Sequence, residues 1–202
     1  MAPSKKRAPR PKRPARKTTP ARTRSAAADT GSGTPFVVLL RAINVGGTGK
    51  LAMADLVKLC EQAGFSDAKT YIQSGNVVFK SSASEADVKR VLEQAVTAKL
   101  GKAAAVLVRT ASQLTRVLAN NPFKSAPPNR VLVLFLDKAP PKSSVAHVEP
   151  PGGEELVLKG RELYLHFPNG MGRSRLKVPL AGVGTTRNVN TVAKLAAMAR
   201  AL

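Results

Sequence analysis

Apolar residues follow strand and helix periods from residue 36 onwards. Residues 36–43 (FVVLLRAI) are almost continuously apolar, which predicts a strand covered on both faces. The next apolar residues recur at helical spacing: Met53, Leu56, Val57 and Cys60. Two short strands over 70–73 and 76–80, a second helix with an apolar stripe from Val88, and a strand over 105–109 then follow. This βαββαβ order predicts a ferredoxin-like unit.

The pattern after this unit is less regular and predicts a second α/β half. Residues 111–119 are typical of a helix, and residues 131–136 (VLVLFL) of a buried strand. Residues 154–158 and 162–167 alternate around a Lys-Gly-Arg turn, which predicts a hairpin. The chain closes with a helix whose apolar stripe is Val192, Leu195, Ala196 and Ala199.

The first 34 residues lack this patterning. They contain no Leu, Ile, Val or aromatic residue and five prolines, so they cannot bury enough apolar area to offset the entropy of ordering. We therefore expect a disordered basic arm over 1–34 and an α+β domain over 35–202. The halves of that domain are predicted to span about 35–110 and 111–202.

Charge is concentrated in this arm. The chain has 33 Lys and Arg against 12 Asp and Glu, a net charge of +21. The arm holds ten of these cations and Asp29 alone, which gives 10 − 1 = +9. An extended cationic chain suits binding to phosphates, whereas the alternative is a solubilising tail without a dedicated partner. The residues expected to contact DNA or RNA are Lys5, Lys6, Arg7, Arg10, Lys12, Arg13, Arg16 and Lys17.

The composition excludes several kinds of chemistry. One cysteine and two histidines leave no disulfide framework and no spaced metal ligands, so we predict no metal and no cofactor. The acidic residues are scattered, no catalytic residue can be assigned, and whether the protein is an enzyme stays open. No apolar run approaches the roughly 18 residues that span a bilayer, so we expect a cytoplasmic protein without a membrane partner.

Amide and guanidinium side chains concentrate at the turns of the folded part. Arg41 interrupts an apolar strand, and a buried guanidinium must be paired. Because donors outnumber carboxylates in these turns, they predict an anion pocket at the junction of the halves. The alternative is a structural hydrogen-bond network that pins loops. The candidate anion-binding residues are Arg41, Asn44, Gln73, Asn76, Arg173, Arg187 and Asn188.

Five segments of the folded part resemble the signature blocks of a bacterial family, domain of unknown function 1697. They are LLRAINVGG (39–47), YIQSGNVVF (71–79), NPF (121–123), HFPNGMGRSRL (166–176) and TTRNVNTVAKL (185–195). The resemblance covers about residues 36–200 and implies a two-part α+β fold with no established activity. Ala42 stands where the family usually has glycine, and Val189 where an aromatic residue is common. The arm lies outside the resemblance.

Two functional hypotheses remain. The first is a nucleic-acid-associated binding protein that uses its basic arm. The alternative is a small-molecule-binding protein or enzyme whose ligand carries a phosphate or carboxylate, held in the predicted anion pocket at the junction of the halves.

Overall fold

In the part of the chain that the structure describes, two four-stranded antiparallel sheets and four α-helices form an α+β fold. The computed structural model describes residues 33–44 and 50–202, so residues 1–32 of the arm lie outside the described residues. The strands of the first sheet are β1 (Thr34–Leu40), β2 (Ser66–Thr70), β3 (Asn76–Ser81) and β4 (Val106–Thr110). The strands of the second sheet are β5 (Val131–Phe135), β6 (Glu155–Lys159), β7 (Glu162–His166) and β8 (Thr185–Asn188). The helices are α1 (Met53–Gln62), α2 (Glu85–Leu100), α3 (Ala111–Ala119) and α4 (Val189–Arg200).

Strand β1 lies inside the first sheet, whose strand order is β2-β3-β1-β4. Its side chains alternate between two cores, which explains why its sequence is continuously apolar. Val38 and Leu40 pack with α1 and α2, whereas Val37 and Leu39 pack with α3 and α4. The expectation of a strand covered on both faces is confirmed, although the strand begins and ends earlier than predicted.

Helices α3 and α4 lie between the two sheets and share one core with both. Leu114 of α3 and Leu195 of α4 join a buried cluster that contains Val37 from the first sheet and Val133 from the second. The second sheet has strand order β6-β7-β5-β8. Its other face is covered by irregular chain, with Leu176 among the residues packed there. The two halves are therefore joined by a continuous apolar interior.

The prediction of a strand over 70–73 is wrong, because β2 ends where that strand was expected to begin. Strand β2 is a polar edge strand with a register shift, and Asp67 has a φ of 56°. Residues 71–75 form a turn instead, in which Ile72 has a φ of 51° and is 50% exposed. Hydrophobic alternation therefore missed a strand whose side chains contribute little to the core.

Strand β8 was also absent from the sequence expectations. Its four residues, TTRN, are all polar, yet they pair with β5 along one edge of the second sheet. Thr185 and Arg187 are buried in it. Because no apolar residue marks this strand, its position depends on pairing with β5 and on the hydrogen bonds of its polar side chains.

Strand β1 ends at Leu40, so Arg41 does not interrupt a strand as expected. Arg41 is half-buried and follows the last paired residue. The next residue, Ala42, has a φ of 51°, in the left-handed region that favours glycine. This conformation gives a physical reason for the glycine that is usual here in the family that the sequence resembles.

No helix among residues 33–44 and 50–202 is long and apolar enough to cross a membrane.

Replacing Ala42 with glycine should stabilise the protein by up to about 1 kcal/mol, because a left-handed conformation is strained for a residue with a Cβ atom. Ala98→Gly is the matched control, since Ala98 is exposed within α2. There the same change should cost about 1 kcal/mol of helix stability. Urea unfolding of both variants measures the difference, and equal losses would contradict the argument.

Candidate functional site

The guanidinium of Arg187 connects the two sheets. Arg187 belongs to β8 and is 8% exposed. Its Nε donates to Asn76 Oδ1 of β3 at 2.5 Å, and its Nη2 donates to the Leu40 carbonyl at 2.8 Å. Nη2 also donates to the Ser74 carbonyl at 2.8 Å. The end of β1, the turn before β3 and β8 are therefore held by one side chain.

The same guanidinium also binds its own strand. Nη1 donates to Thr185 Oγ1 at 2.8 Å and to the Thr186 carbonyl at 2.9 Å. All five N–H groups are thus used within the protein, and no carboxylate is among the partners. Burial lowers the pKa of Arg187 to about 10. Arg187 keeps no N–H for a ligand.

Asn76 aligns the turn that Arg187 contacts. Its Nδ2 donates to the Tyr71 carbonyl at 3.0 Å and to Ser74 Oγ at 2.8 Å. Gly75 completes this turn with a φ of 73°, and a Cβ there would lie 2.9 Å from Leu40 Cβ. The turn therefore needs glycine both for its conformation and for its close approach to β1.

Asn44 and Gln73 also come together, but through the backbone of Gln73. Asn44 Nδ2 donates to the Gln73 carbonyl at 3.0 Å and to the Leu51 carbonyl at 2.8 Å, while the Gln73 side chain is exposed. Asn44 Oδ1 accepts a hydrogen bond from Leu51 N at 2.9 Å. Residues 45–49 lie outside the described residues. The hydrogen bonds between Asn44 and Leu51 thus connect the residues on either side of them.

The other three candidate residues have separate positions. Arg41 lines a cavity beside α2 together with Glu93. Arg173 is exposed in a single 3₁₀ turn, and Asn188 Oδ1 caps α4 by accepting from Asn190 N at 2.8 Å. No hydrogen bond within residues 33–44 and 50–202 joins them to the Arg187 network. Among the seven residues, direct side-chain contact is made between Asn76 and Arg187.

Arg109 is a second buried guanidinium, and sequence reasoning missed it. It lies in β4, is 1% exposed, and donates from Nε to Glu162 Oε1 of β7 at 2.9 Å. Nη2 donates to the Leu136 carbonyl at 2.7 Å. Burial lowers the pKa of Arg109, and the neighbouring Glu162 opposes that change. Arg109 directly follows the apolar residues 103–108, and this juxtaposition is the signal that could have identified it.

A basic cavity of about 370 Å³ lies between α3 and the β6–β7 hairpin. Its lining carries one carboxylate, Glu162, and four cationic side chains. These cations are Arg109, Arg116, Lys159 and Arg161. The cavity was not predicted, because its cations come from three separate parts of the chain.

Glu85, at the start of α2, anchors one side of this cavity. Its Oε1 accepts from Arg161 Nη1 at 2.7 Å, and its Oε2 accepts from Gln113 Nε2 at 3.1 Å. Burial raises the pKa of Glu85, but the hydrogen bonds from Arg161 and Gln113 outweigh it, so the pKa lies below its ordinary value. The ionised carboxylate therefore helps to hold Arg161 in place.

Exposed cations also line an irregular segment beside the second sheet. Arg173, Arg175 and Lys177 are exposed, while Leu176 and Val178 between and beside them pack inward. We call these three cations the basic stripe. Residues 163–202 contain no Asp or Glu, so no acidic residue of that stretch balances them.

Thiol and metal chemistry find no support in the described residues. Cys60 is fully buried, and burial raises the pKa of its thiol to about 12, which makes it unreactive near neutral pH. Within residues 33–44 and 50–202, no group of three or more His, Cys, Asp or Glu side chains is arranged to hold a metal ion.

Comparisons with known proteins agree with the fold but name no activity. A family model described as "Protein of unknown function (DUF1697)" matches residues 34–164. No curated protein matches the chain. The solved structure of the conserved bacterial protein SP0830 from Streptococcus pneumoniae is 26% identical, with a TM-score of 0.70. The match covers 83% of this chain and 99% of the Streptococcus chain.

Arg187→Ala should lower the free energy of unfolding by about 3 kcal/mol or more, because it leaves buried hydrogen-bond acceptors in both sheets without a donor. Arg173→Ala is the control, since Arg173 is exposed, and it should change stability by less than about 0.5 kcal/mol. Urea unfolding tests both variants. Similar stabilities for the two would contradict the structural role of Arg187.

Glu85→Gln should remove a pH-dependent part of stability. Because the folded-state pKa of Glu85 lies below its ordinary value of 4.5, its contribution is full above that pH and is lost as the pH falls through the folded-state value. The stability difference between wild type and variant should therefore shrink on acidification. Denaturation from neutral pH to about pH 3 measures it. A stability difference between wild type and Glu85→Gln that stays constant over this pH range would refute the argument.

Proposed function

The chain belongs to the DUF1697 family, and we propose that it is a nucleic-acid-associated binding protein that contacts phosphates through its basic arm. One observation carries the proposal: residues 1–34 hold a net charge of +9 and no Leu, Ile, Val or aromatic residue. Such a segment lacks the apolar side chains that form a core, and its one acidic residue, Asp29, does not neutralise its ten cations. The proposal includes a location in the bacterial cytoplasm, where DNA and RNA are the abundant polyanions.

The folded part supports the same function. Residues 35–202 carry 23 cations and 11 acidic residues, and three of these cations, the basic stripe, are exposed on one segment. Cations on a folded surface and on a connected arm can neutralise phosphates of one nucleic acid together, which raises the salt dependence of binding. The proposal therefore assigns most of the affinity to the arm and a smaller share to the domain.

The domain organisation belongs to the proposal as well. Strand β1 begins at Thr34, which supports a boundary near residue 34 between the arm and a domain over 35–202. The chain order β1-α1-β2-β3-α2-β4, with sheet order β2-β3-β1-β4, supports a ferredoxin-like unit over residues 35–110. Residues 111–202 then form the second half.

The alternative, a small anionic ligand held by the predicted cluster, has weaker support at Arg187. That guanidinium is the best-placed donor at the junction, but its five N–H groups bind protein acceptors. A ligand-binding role is better supported at the basic cavity, where Arg116, Lys159 and Arg161 retain unused N–H groups.

Neutralising the arm should weaken nucleic-acid binding and reduce its salt dependence. If all ten arm cations contact duplex phosphates, log K falls against log salt with a slope of about −9. Changing the eight candidate cations to Gln should reduce the magnitude of that slope by up to about 7. The variant is Lys5, Lys6, Arg7, Arg10, Lys12, Arg13, Arg16 and Lys17→Gln in the full chain.

Fluorescence anisotropy with duplex DNA and with single-stranded RNA, over a range of salt concentrations, provides the measurement. The matched control changes Arg7, Arg10, Arg13 and Arg16 to Lys, which keeps the charge and should keep the slope. Unchanged affinity and slope in the Gln variant would show that the arm does not carry the binding.

A further inference from the structure

The basic cavity between α3 and the β6–β7 hairpin is distinct from the arm and from the Arg187 network. The geometry points to a binding site for a phosphate monoester there, with Arg116, Lys159 and Arg161 as the residues that hold it. This site goes beyond nucleic-acid association through the arm, because it selects one kind of phosphate group.

The charge of the cavity matches a dianion. Its four cations face Glu162 in the lining and Glu85 behind Arg161, which leaves a net charge of 4 − 2 = +2. A phosphate monoester carries about −1.5 to −2 near neutral pH, whereas a backbone phosphodiester carries about −1. A monoester therefore neutralises the cavity more completely than an internal phosphate of DNA or RNA.

Donors remain available for such a ligand. Arg116 is exposed, and no hydrogen bond or ion pair within the described residues occupies its side chain, so its guanidinium is free to bind two oxygens side by side. Lys159 Nζ donates once, to the Asn120 carbonyl at 2.8 Å, and keeps two further N–H groups. Arg161 bonds Glu85 through Nη1 and retains its other N–H groups. In these contacts the cavity differs from the Arg187 network, where every N–H is used.

The surrounding contacts hold the cavity in shape. Gln113 completes the capping box of α3 with Thr110 and also donates to Glu85, which in turn accepts from Arg161. Buried Arg109 and half-buried Glu162 form an ion pair at 2.9 Å on the same lining. These contacts position Arg161, so a ligand meets that cation already held in place.

The volume limits the ligand. About 370 Å³ is near the lower end of cavities that bind small molecules, roughly 300–1,000 Å³. It suits a phosphate with a small organic group, such as a sugar phosphate or a nucleoside monophosphate. The same group also ends a 5′-phosphorylated nucleic acid, so a free molecule and a strand end are two sources of one chemistry.

Calorimetry on the full chain tests the site with adenosine 5′-monophosphate and with inorganic phosphate as probes. We expect saturable binding at one site per chain, and no binding of adenosine. Arg116→Gln with Lys159→Gln should weaken it by about tenfold or more, since both changes remove charged hydrogen bonds. The control, Lys58→Gln with Lys102→Gln, removes the same charge from exposed positions of the first half and should leave binding unchanged.

Two further measurements separate a loss of binding from a loss of folding. Arg116 and Lys159 are exposed, so urea unfolding should give the same midpoint for the double variant and wild type. For Arg161, which is partly buried, Arg161→Lys keeps the charge but loses the paired N–H geometry, and it should weaken monophosphate binding while the chain stays folded.

Short oligonucleotides with a 5′-phosphate or a 5′-hydroxyl identify the source. If the mononucleotide binds and the double variant at Arg116 and Lys159 weakens that binding, the site exists and its ligand is a free phosphate monoester. If only the 5′-phosphorylated strand binds and the double variant weakens that binding, the site exists and its ligand is a strand end. Equal loss in the double variant and the Lys58/Lys102 control, or equal binding of 5′-phosphate and 5′-hydroxyl strands without mononucleotide binding, would overturn the proposal. The arm variant with eight Gln substitutions should retain the calorimetric signal, so failure of the arm function and failure of this site are distinguishable.

Discussion

A positive charge buried between two sheets, with only neutral dipoles around it, is the constraint on which the fold depends. Removing the Arg187 guanidinium from water is costly unless every N–H finds an acceptor. Carbonyls of both sheets, the Asn76 amide and the Thr185 hydroxyl provide those acceptors. The end of β1, the turn before β3 and strand β8 must therefore keep their relative positions, even though β8 has no apolar residue to place it.

The buried guanidinium of Arg109 is stabilised in a different way, because one of its partners is a carboxylate. Its partner Glu162 lies in β7, and it also bonds the Leu136 carbonyl, so β4 is tied to the second sheet. Between these two ties, α3 and α4 fill the interior with apolar side chains from both halves. The basic cavity forms beside this pair, and a further contact between the halves, from Arg161 to Glu85, positions one cation of the candidate site.

The sequence predicts the apolar strands and helices well because burial leaves a periodic pattern. Strands β2 and β8 leave none, since one is a polar edge strand and the other is built from Thr, Arg and Asn. The choice of Arg41 as the buried guanidinium was wrong for a related reason. Arg41 and Arg109 both follow apolar runs, but Arg41 lies just beyond the end of its strand while Arg109 lies within one. Arg187 and Asn76 were identified, yet their pairing across 111 residues is a tertiary fact that no local pattern contains.

Burial also changes what the net charge of the folded part means. Residues 163–202 contain six cations, and one of them, Arg187, is buried. All its N–H groups bind protein acceptors, so it contributes to stability and leaves no N–H for a partner. Arg109 is likewise enclosed with Glu162. In the cavity and the basic stripe, the cations with unused donors are Arg116, Lys159, Arg161, Arg173, Arg175 and Lys177. A charge count from the sequence treats these two groups alike, whereas the structure divides them into arginines that join the sheets and cations that face the solvent. Any anionic partner of the folded part must therefore be recognised by the second group.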